Sequence, residues 1–336
     1  MRLTLTLLST ASLFLLSASN VDAYGVVGHT LTGQIAQQFL TPKTAKAVKE
    51  ILPEADEGLL SKATPWADKI KSFAQYKWAN TQHYVNTEGD NPPDYCLFEY
   101  VYGGQDVVNG LFNMTATLKQ LQVTPPTTSA QLSVRRDAIR FFAHFIGDIH
   151  QPLHNSIRDR GGNDAPIKWG RTKSNLHSMW DTLIITKDIK DNFSNDPQAY
   201  LDDVLAKAKS YWSDAATWTD CDPAQNKGEN PWFNTTKTVK TLCPLQWATT
   251  MNALDCSHVW TSYSPTLDYS GEYFERMTSA ETEYLTRKLL AMSGVRMAAV
   301  LNEIYDSGAS SPQPVKRDSV KLPPKYLELL KRALNQ

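Results

Sequence analysis

Two His/Asp pairs set four residues apart, His144 with Asp148 and His177 with Asp181, constrain this chain more than any other feature. The first pair lies in RDAIRFFAHFIGDIHQPLH, where Ile139, Phe142, Phe145, Ile146 and Ile149 recur at helical spacing. Residues i and i+4 share one face of a helix, so His144 and Asp148 can hold one ion together. Pro152 should end that helix and let His154 turn toward a different ion. The segment NLHSMWDTLII repeats the device on a second helix. Imidazole nitrogens and carboxylate oxygens, with no cysteine among them, suit zinc. Scattered surface polar residues do not explain the same spacing twice in one stretch.

The rest of the pattern is mostly helical. Apolar periodicity predicts helices over 29–40, 43–52, 59–71, 107–121 and 129–150, and again over 176–186, 197–218, 245–263 and 271–305. A short hairpin is expected around Ile167 to Thr172, turning at Gly170. The first 23 residues carry one Arg, an apolar core and small residues before Tyr24, the pattern of a secretory signal too short to span a membrane. Cleavage after Ala23 makes Tyr24-Gly25-Val26-Val27-Gly28-His29 the mature start. Residues 307–336 read as a breaker-rich linker and a basic tail. The four cysteines of a secreted chain allow three disulfide connectivities. Sequons at Asn113, Asn192 and Asn234 are candidate glycosylation sites.

A net charge of −1 does not advertise a polyanion-binding surface. Affinity for nucleic acid must then come from bound cations and from aromatic stacking, worth roughly 1–3 kcal/mol per base.

Six separated blocks give the chain a family resemblance. They are the mature N-terminus through His29, Trp66-Ala67-Asp68, His83-Tyr84, HFIGDIHQPLH, and Asp159-x-Gly161-Gly162-Asn163 followed by NLHSMWD. In this order and spacing they resemble the S1/P1 nucleases, secreted zinc enzymes, from Tyr24 to about Asp306. The resemblance implies a single helical domain of the phospholipase C/P1 nuclease type with a small β-hairpin. It implies three zinc ions: one on Asp68, His83, His144 and Asp148, a close partner on Tyr24, His29 and the shared Asp148, and a third on His154, His177 and Asp181. Tyr24 would bind through its free amino nitrogen and backbone carbonyl, so the family's usual Trp is dispensable there. His150 falls on another helical face and reads as structural, and His258 as a core or surface residue.

The implied activity is endonucleolytic hydrolysis of single-stranded DNA and RNA to 5′-phosphorylated nucleotides, with 3′-nucleotides as further substrates. No membrane and no obligate protein partner are implied. Asp68 and Asp148 serve the reaction through metal, Lys71 as a phosphate contact one turn from Asp68, and Asn86 as a residue orienting water where the family usually has an acid. Tyr84 would stack a base, and Asn163 would touch substrate. The family also implies the pairing Cys96–Cys256, which leaves Cys221 with Cys243. Two readings stay open beside this one: a secreted zinc phospholipase C, and a non-catalytic zinc-binding glycoprotein. The Gly-Gly-Asn and NLHSMWD blocks favour the nuclease over the first, and the full set of ligand positions argues against the second.

Overall fold

Helix α1 (Val26–Phe39) is buried on almost every side, which places it at the centre of the molecule rather than on its surface. The computed structural model describes residues 24–101, 103–222 and 239–308. The signal segment, the Asn234 sequon and nearly all of the basic tail lie outside the described residues.

Around α1 pack α2 (Pro42–Ile51), the short α3 (Leu60–Ala63) and α4 (Trp66–Ile70), then α5 (Val107–Val123) and α6 (Ser129–Ile149). A helical run over 176–192, called α7, joins Leu176–Ser178, a π-helical turn Met179–Leu183 and Ile184–Asn192. Beyond it come α8 (Pro197–Ser210), α9 (Pro244–Leu254), α10 (Glu272–Met277) and α11 (Leu285–Tyr305). The molecule is mainly helical, with α1 lying along α11 and α5 along α6.

Local chemistry sets the boundaries. Thr128 and Gln131 form a reciprocal capping box that starts α6. Asp106 caps α5 by accepting from the Asn109 amide at 2.9 Å, and Thr41 caps α2 ahead of Pro42. The opening turns of α6 face solvent, and from Ala138 to Ile149 all but Arg140 is buried. Arg140 ties α6 to the turn Glu54–Asp56 through two bonds to Asp56, at 2.7 and 2.9 Å.

Strands β1 (Pro166–Trp169) and β2 (Thr172–Asn175) pair antiparallel, with Pro166 opposite Asn175 and Trp169 opposite Thr172. Gly170 takes φ +60° in the two-residue turn between them. The hairpin therefore extends further in both directions than the sequence suggested.

Two predicted helices are interrupted. Residues 59–71 split at Pro65, which has no amide hydrogen to continue α3. Residues 271–305 break where Glu283 and Tyr284 adopt φ values of +55° and +57°, so α11 starts only at Leu285. A ten-residue 3₁₀ segment, Ala74–His83, had no apolar period to announce it. Helix α6 stops at Ile149, before Pro152, and Pro152–Asn155 forms a 3₁₀ turn that carries His154. Both disulfides are formed: Cys96–Cys256, with Cα atoms 5.9 Å apart, and Cys221–Cys243, with Cα atoms 5.6 Å apart.

Candidate active site

The predicted metal ligands come from distant parts of the chain and converge. His29 stands on α1, Asp68 on α4, His83 at the end of the 3₁₀ segment, and His144 and Asp148 on α6. The Nδ1 of His83 and the Nε2 of His144 approach the Oδ2 of Asp148 at 3.0 and 3.2 Å. The Nε2 of His29 approaches Asp148 Oδ1 at 3.3 Å and Asp68 Oδ2 at 3.9 Å. A second group lies alongside: His154 Nε2 is 3.7 Å from Asp181 Oδ1, and His177 Nε2 is 3.1 Å from Asp181 Oδ2. Asp181 sits in the π-helical turn, a local widening often found at functional sites.

Backbone carbonyls fix the rings. His144 Nδ1 donates to Thr64 O at 2.6 Å, His154 Nδ1 to His83 O at 2.8 Å, and His177 Nδ1 to Gly161 O at 2.7 Å. Each bond leaves the Nε2 lone pair facing the carboxylates, the orientation a metal-ligating imidazole needs. Gln151 completes the second group, its Nε2 donating to Asp181 Oδ1 at 2.6 Å. Two glycines make the room. A Cβ on Gly147 would lie 2.7 Å from His29 Nδ1. One on Gly161, at φ +62°, would lie 2.5 Å from the Leu153 carbonyl oxygen.

These groups fit cations better than they fit one another. Both oxygens of Asp148, both ring nitrogens of His29, His154 Nε2 and Asp181 Oδ2 are buried without a hydrogen-bond partner. Orphaned buried charges of this kind are costly unless an ion supplies the missing contact. Three sets of donors lie close enough to share an ion: His29 with Asp68 and His144, His83 with His144 and Asp148, and His154 with His177 and Asp181.

The electrostatics point the same way. Burial opposes ionising Asp148, yet the charge of His144 and the rings of His29 and His83 overrule it and hold its carboxyl well below the usual range. Burial alone would raise Asp181 as well, and His177 and His154 bring it down. For His144 burial is outweighed by Asp148 and Asp68, which push the ring up to about 9. His29 goes the other way, lowered by burial and by the neighbouring His144, so its ring stays neutral with one nitrogen lone pair available. Tyr24 is buried beside both groups; its hydroxyl donates to His150 O at 3.0 Å, and the next amide, Gly25, donates to Asp181 O at 3.1 Å.

The donors floor an open cleft of about 680 Å³ lined by Asp68, His83, His154 and His177. Lys71, Tyr84 and Asn163, the three predicted substrate contacts, line it too, as does Asn86, which was expected to orient water. Lys71 Nζ reaches Asp68 Oδ1 at 3.1 Å, and Tyr84 is 41% exposed, free on one face to stack. In the loop from Asn86 to Asp90, Asn86 lines the cleft, whereas Asp90 turns away and accepts from Ser156 Oγ at 2.9 Å.

His150 takes no part. Its Nδ1 donates to Ile146 O at 2.7 Å and its Nε2 faces Arg296 Nη1 at 2.8 Å, under Trp247. His258 is half-buried outside the cleft. Sequence reasoning missed Gln151, Gly147 and Arg160; the first two stand inside or beside the HFIGDIHQPLH block, and Arg160 gave no signal beyond its place in the Asp159–Asn163 block.

A mainly helical scaffold that gathers imidazoles and carboxylates at the floor of a cleft defines a metal-dependent hydrolase. The S1/P1 nuclease family pattern matches residues 24–306, and the chain belongs to that family: it is a nuclease, a hydrolase of phosphodiester bonds. It is 32% identical to Endonuclease 4 of Arabidopsis thaliana over 296 residues, covering 84% of this chain and 90% of that protein. It is 27% identical to Nuclease P1 of Penicillium citrinum over 287 residues, covering 84% of this chain and 98% of that protein. With Nuclease S1 of Aspergillus oryzae the identity is 27% over 292 residues, covering 84% of this chain and 91% of that protein.

Proposed function

We propose that the protein is a secreted zinc nuclease that cuts single-stranded DNA and RNA endonucleolytically to 5′-phosphorylated products and also removes the phosphate of 3′-nucleotides. The observation that carries this is the set of orphaned His and Asp donors at the floor of a cleft that also presents Tyr84, Asn86 and Lys71. Zinc suits the donors because they are imidazole and carboxylate without thiolate. Asp68, His83, His144 and Asp148 would hold one ion, Tyr24, His29 and Asp148 a second, and His154, His177 and Asp181 a third. Bound there, zinc lowers the pKa of water toward 7 and neutralises charge on the reacting phosphate.

The chain's own residues do the rest. Gln151 and the carbonyls of Thr64, His83 and Gly161 hold the ligands in register. Tyr84 stacks an unpaired base, which a duplex does not offer, and Asn86 beside it hydrogen-bonds the base edge or orients water. Lys71, held by Asp68, contributes positive charge to a phosphate, and Asn163 offers an amide to the strand. The catalytic unit is residues 24–306, with residues 1–23 removed on secretion and 307–336 an appended tail. Among the described residues no helix is long and apolar enough to cross a membrane. Asn113 and Asn192 are exposed, as glycan acceptors must be.

Mature protein incubated with single-stranded DNA, duplex DNA and phosphatidylcholine, with and without chelator, tests the reading. Chelator-sensitive cutting of the single strand to ends bearing 5′-phosphate is expected. Release of phosphocholine with DNA left intact would contradict it.

A further inference from the structure

Arg160 stands in the cleft in a backbone conformation that few side chains other than those of Asn and Asp adopt. Its φ and ψ are +55° and +52°, between Asp159 at φ +47° and Gly161 and Gly162 at φ +62° and +77°. Successive left-handed residues store strain, and such strain collects where a side chain must be aimed. The turn is pinned on both sides of Arg160: its amide donates to Ile157 O at 3.0 Å, its carbonyl accepts from Asn163 Nδ2 at 2.8 Å, and the next carbonyl, on Gly161, accepts from His177 Nδ1 at 2.7 Å. Arg160 is therefore one peptide away from a group that orients a metal ligand.

Its guanidinium has little to do within the fold. The side chain is 77% exposed, and its ion partner Asp164, at 3.2 Å, is 54% exposed. A solvated pair of that kind is weak and exchanges readily for a better anion. Arg160 lines the same cleft as Lys71. Lys71 bonds to Asp68, at one end of the row of donors, whereas Arg160 adjoins His177, at the other.

We infer that Arg160 grips the phosphate of a neighbouring nucleotide, so that the cleft holds a strand at two cationic points and favours polynucleotides over minimal substrates. This rests on the nuclease reading of the site. A guanidinium fork suits a phosphate diester, whose two free oxygens it meets in parallel, and it stays charged throughout the working pH range. The contact lies outside the reacting phosphate, so it acts on binding of the strand and not on the chemical step.

The test compares a single strand of about ten nucleotides with a dinucleoside monophosphate, which carries only the reacting phosphate. Arg160→Asn removes the charge while keeping a residue that tolerates the left-handed backbone. It should raise KM for the strand about tenfold with kcat unchanged, and lower the salt dependence of log KM by about 0.7, one phosphate contact on a single strand. KM for the dinucleotide should not move, and Arg160→Lys should keep the salt slope. An unchanged KM for the strand, or an equal loss on both substrates, would overturn the assignment. Failure of the wild-type enzyme to cut either substrate in the presence of zinc would instead overturn the nuclease reading beneath it.

Discussion

Asp148 is the residue where two sets of donors meet, with His83 and His144 on one oxygen and His29 on the other. Replacing it with Asn keeps the volume but removes the carboxylate that faces three imidazoles. Asp148→Asn should lose the metal bound by those groups and nearly all turnover, while His154, His177 and Asp181 keep theirs; full metal content with near-normal activity would refute its role. Tyr84 separates binding from chemistry. Tyr84→Ala should weaken single-strand binding by roughly 1–3 kcal/mol with metal content unchanged, and an unaltered KM would remove the base platform from the account. A third residue bears on stability alone. Asp255 is fully buried with neither oxygen paired, and burial together with the charge of Asp90 pushes its carboxyl well above the usual range. Such a group supports the fold when protonated, so its contribution is full below about pH 3.9 and is lost as pH rises through its folded pKa. Asp255→Asn has no proton to lose. Its Tm should gain on the wild type as pH rises above about 4, and parallel curves would show that Asp255 is not held protonated.

At the scale of elements, α6 brings together the two kinds of information that sequence carries well and badly. Its apolar period from Ile139 to Ile149 and its His144/Asp148 spacing were legible because each depends on neighbours within one or two turns. The need for Gly147 was not, because it comes from α1: a methyl group there would push into His29. The same holds for the break at Glu283–Tyr284 and for the 3₁₀ segment that delivers His83, whose conformations are set by what they pack against. Gly147→Ala makes this testable, since Ala favours the helix by about 1 kcal/mol and any loss must arise at the site. The variant should keep its helical circular dichroism and lose the metal held with His29. Retention of all metal and activity would mean that His29 is not a ligand.

For the whole molecule, spacing singled out His144, Asp148, His154, His177 and Asp181 because metal chemistry limits residue types, whereas Tyr24, His29, Asp68 and His83 came only from the family resemblance. What could not be read was how the cleft distributes its cations: a net charge of −1 conceals Lys71 and Arg160 lining one opening. The disulfide Cys96–Cys256, which spans 160 residues, ties the loop that follows Asn86 to the segment after α9, and on the chain-entropy model closes a loop worth about 5 kcal/mol. On the proposed ligand set the N-terminus would couple processing to activity, because an α-amino group binds metal only when it is free and unprotonated. Its ordinary pKa of about 7.7–8.0 means metal must displace a proton, so metal should leave on acidification. A form retaining even one residue before Tyr24 should fold with both disulfides, lack the ion held with His29 and be nearly inactive; full activity would show that the amine is not a ligand. The central claim, that the converging His and Asp residues hold the ions that cut the strand, is tested most directly by counting metal in the purified mature protein while measuring digestion of single-stranded DNA. Three zinc ions per chain, loss of digestion as chelator removes them, and recovery when zinc returns are expected. Undiminished digestion by protein shown to be free of metal would contradict it.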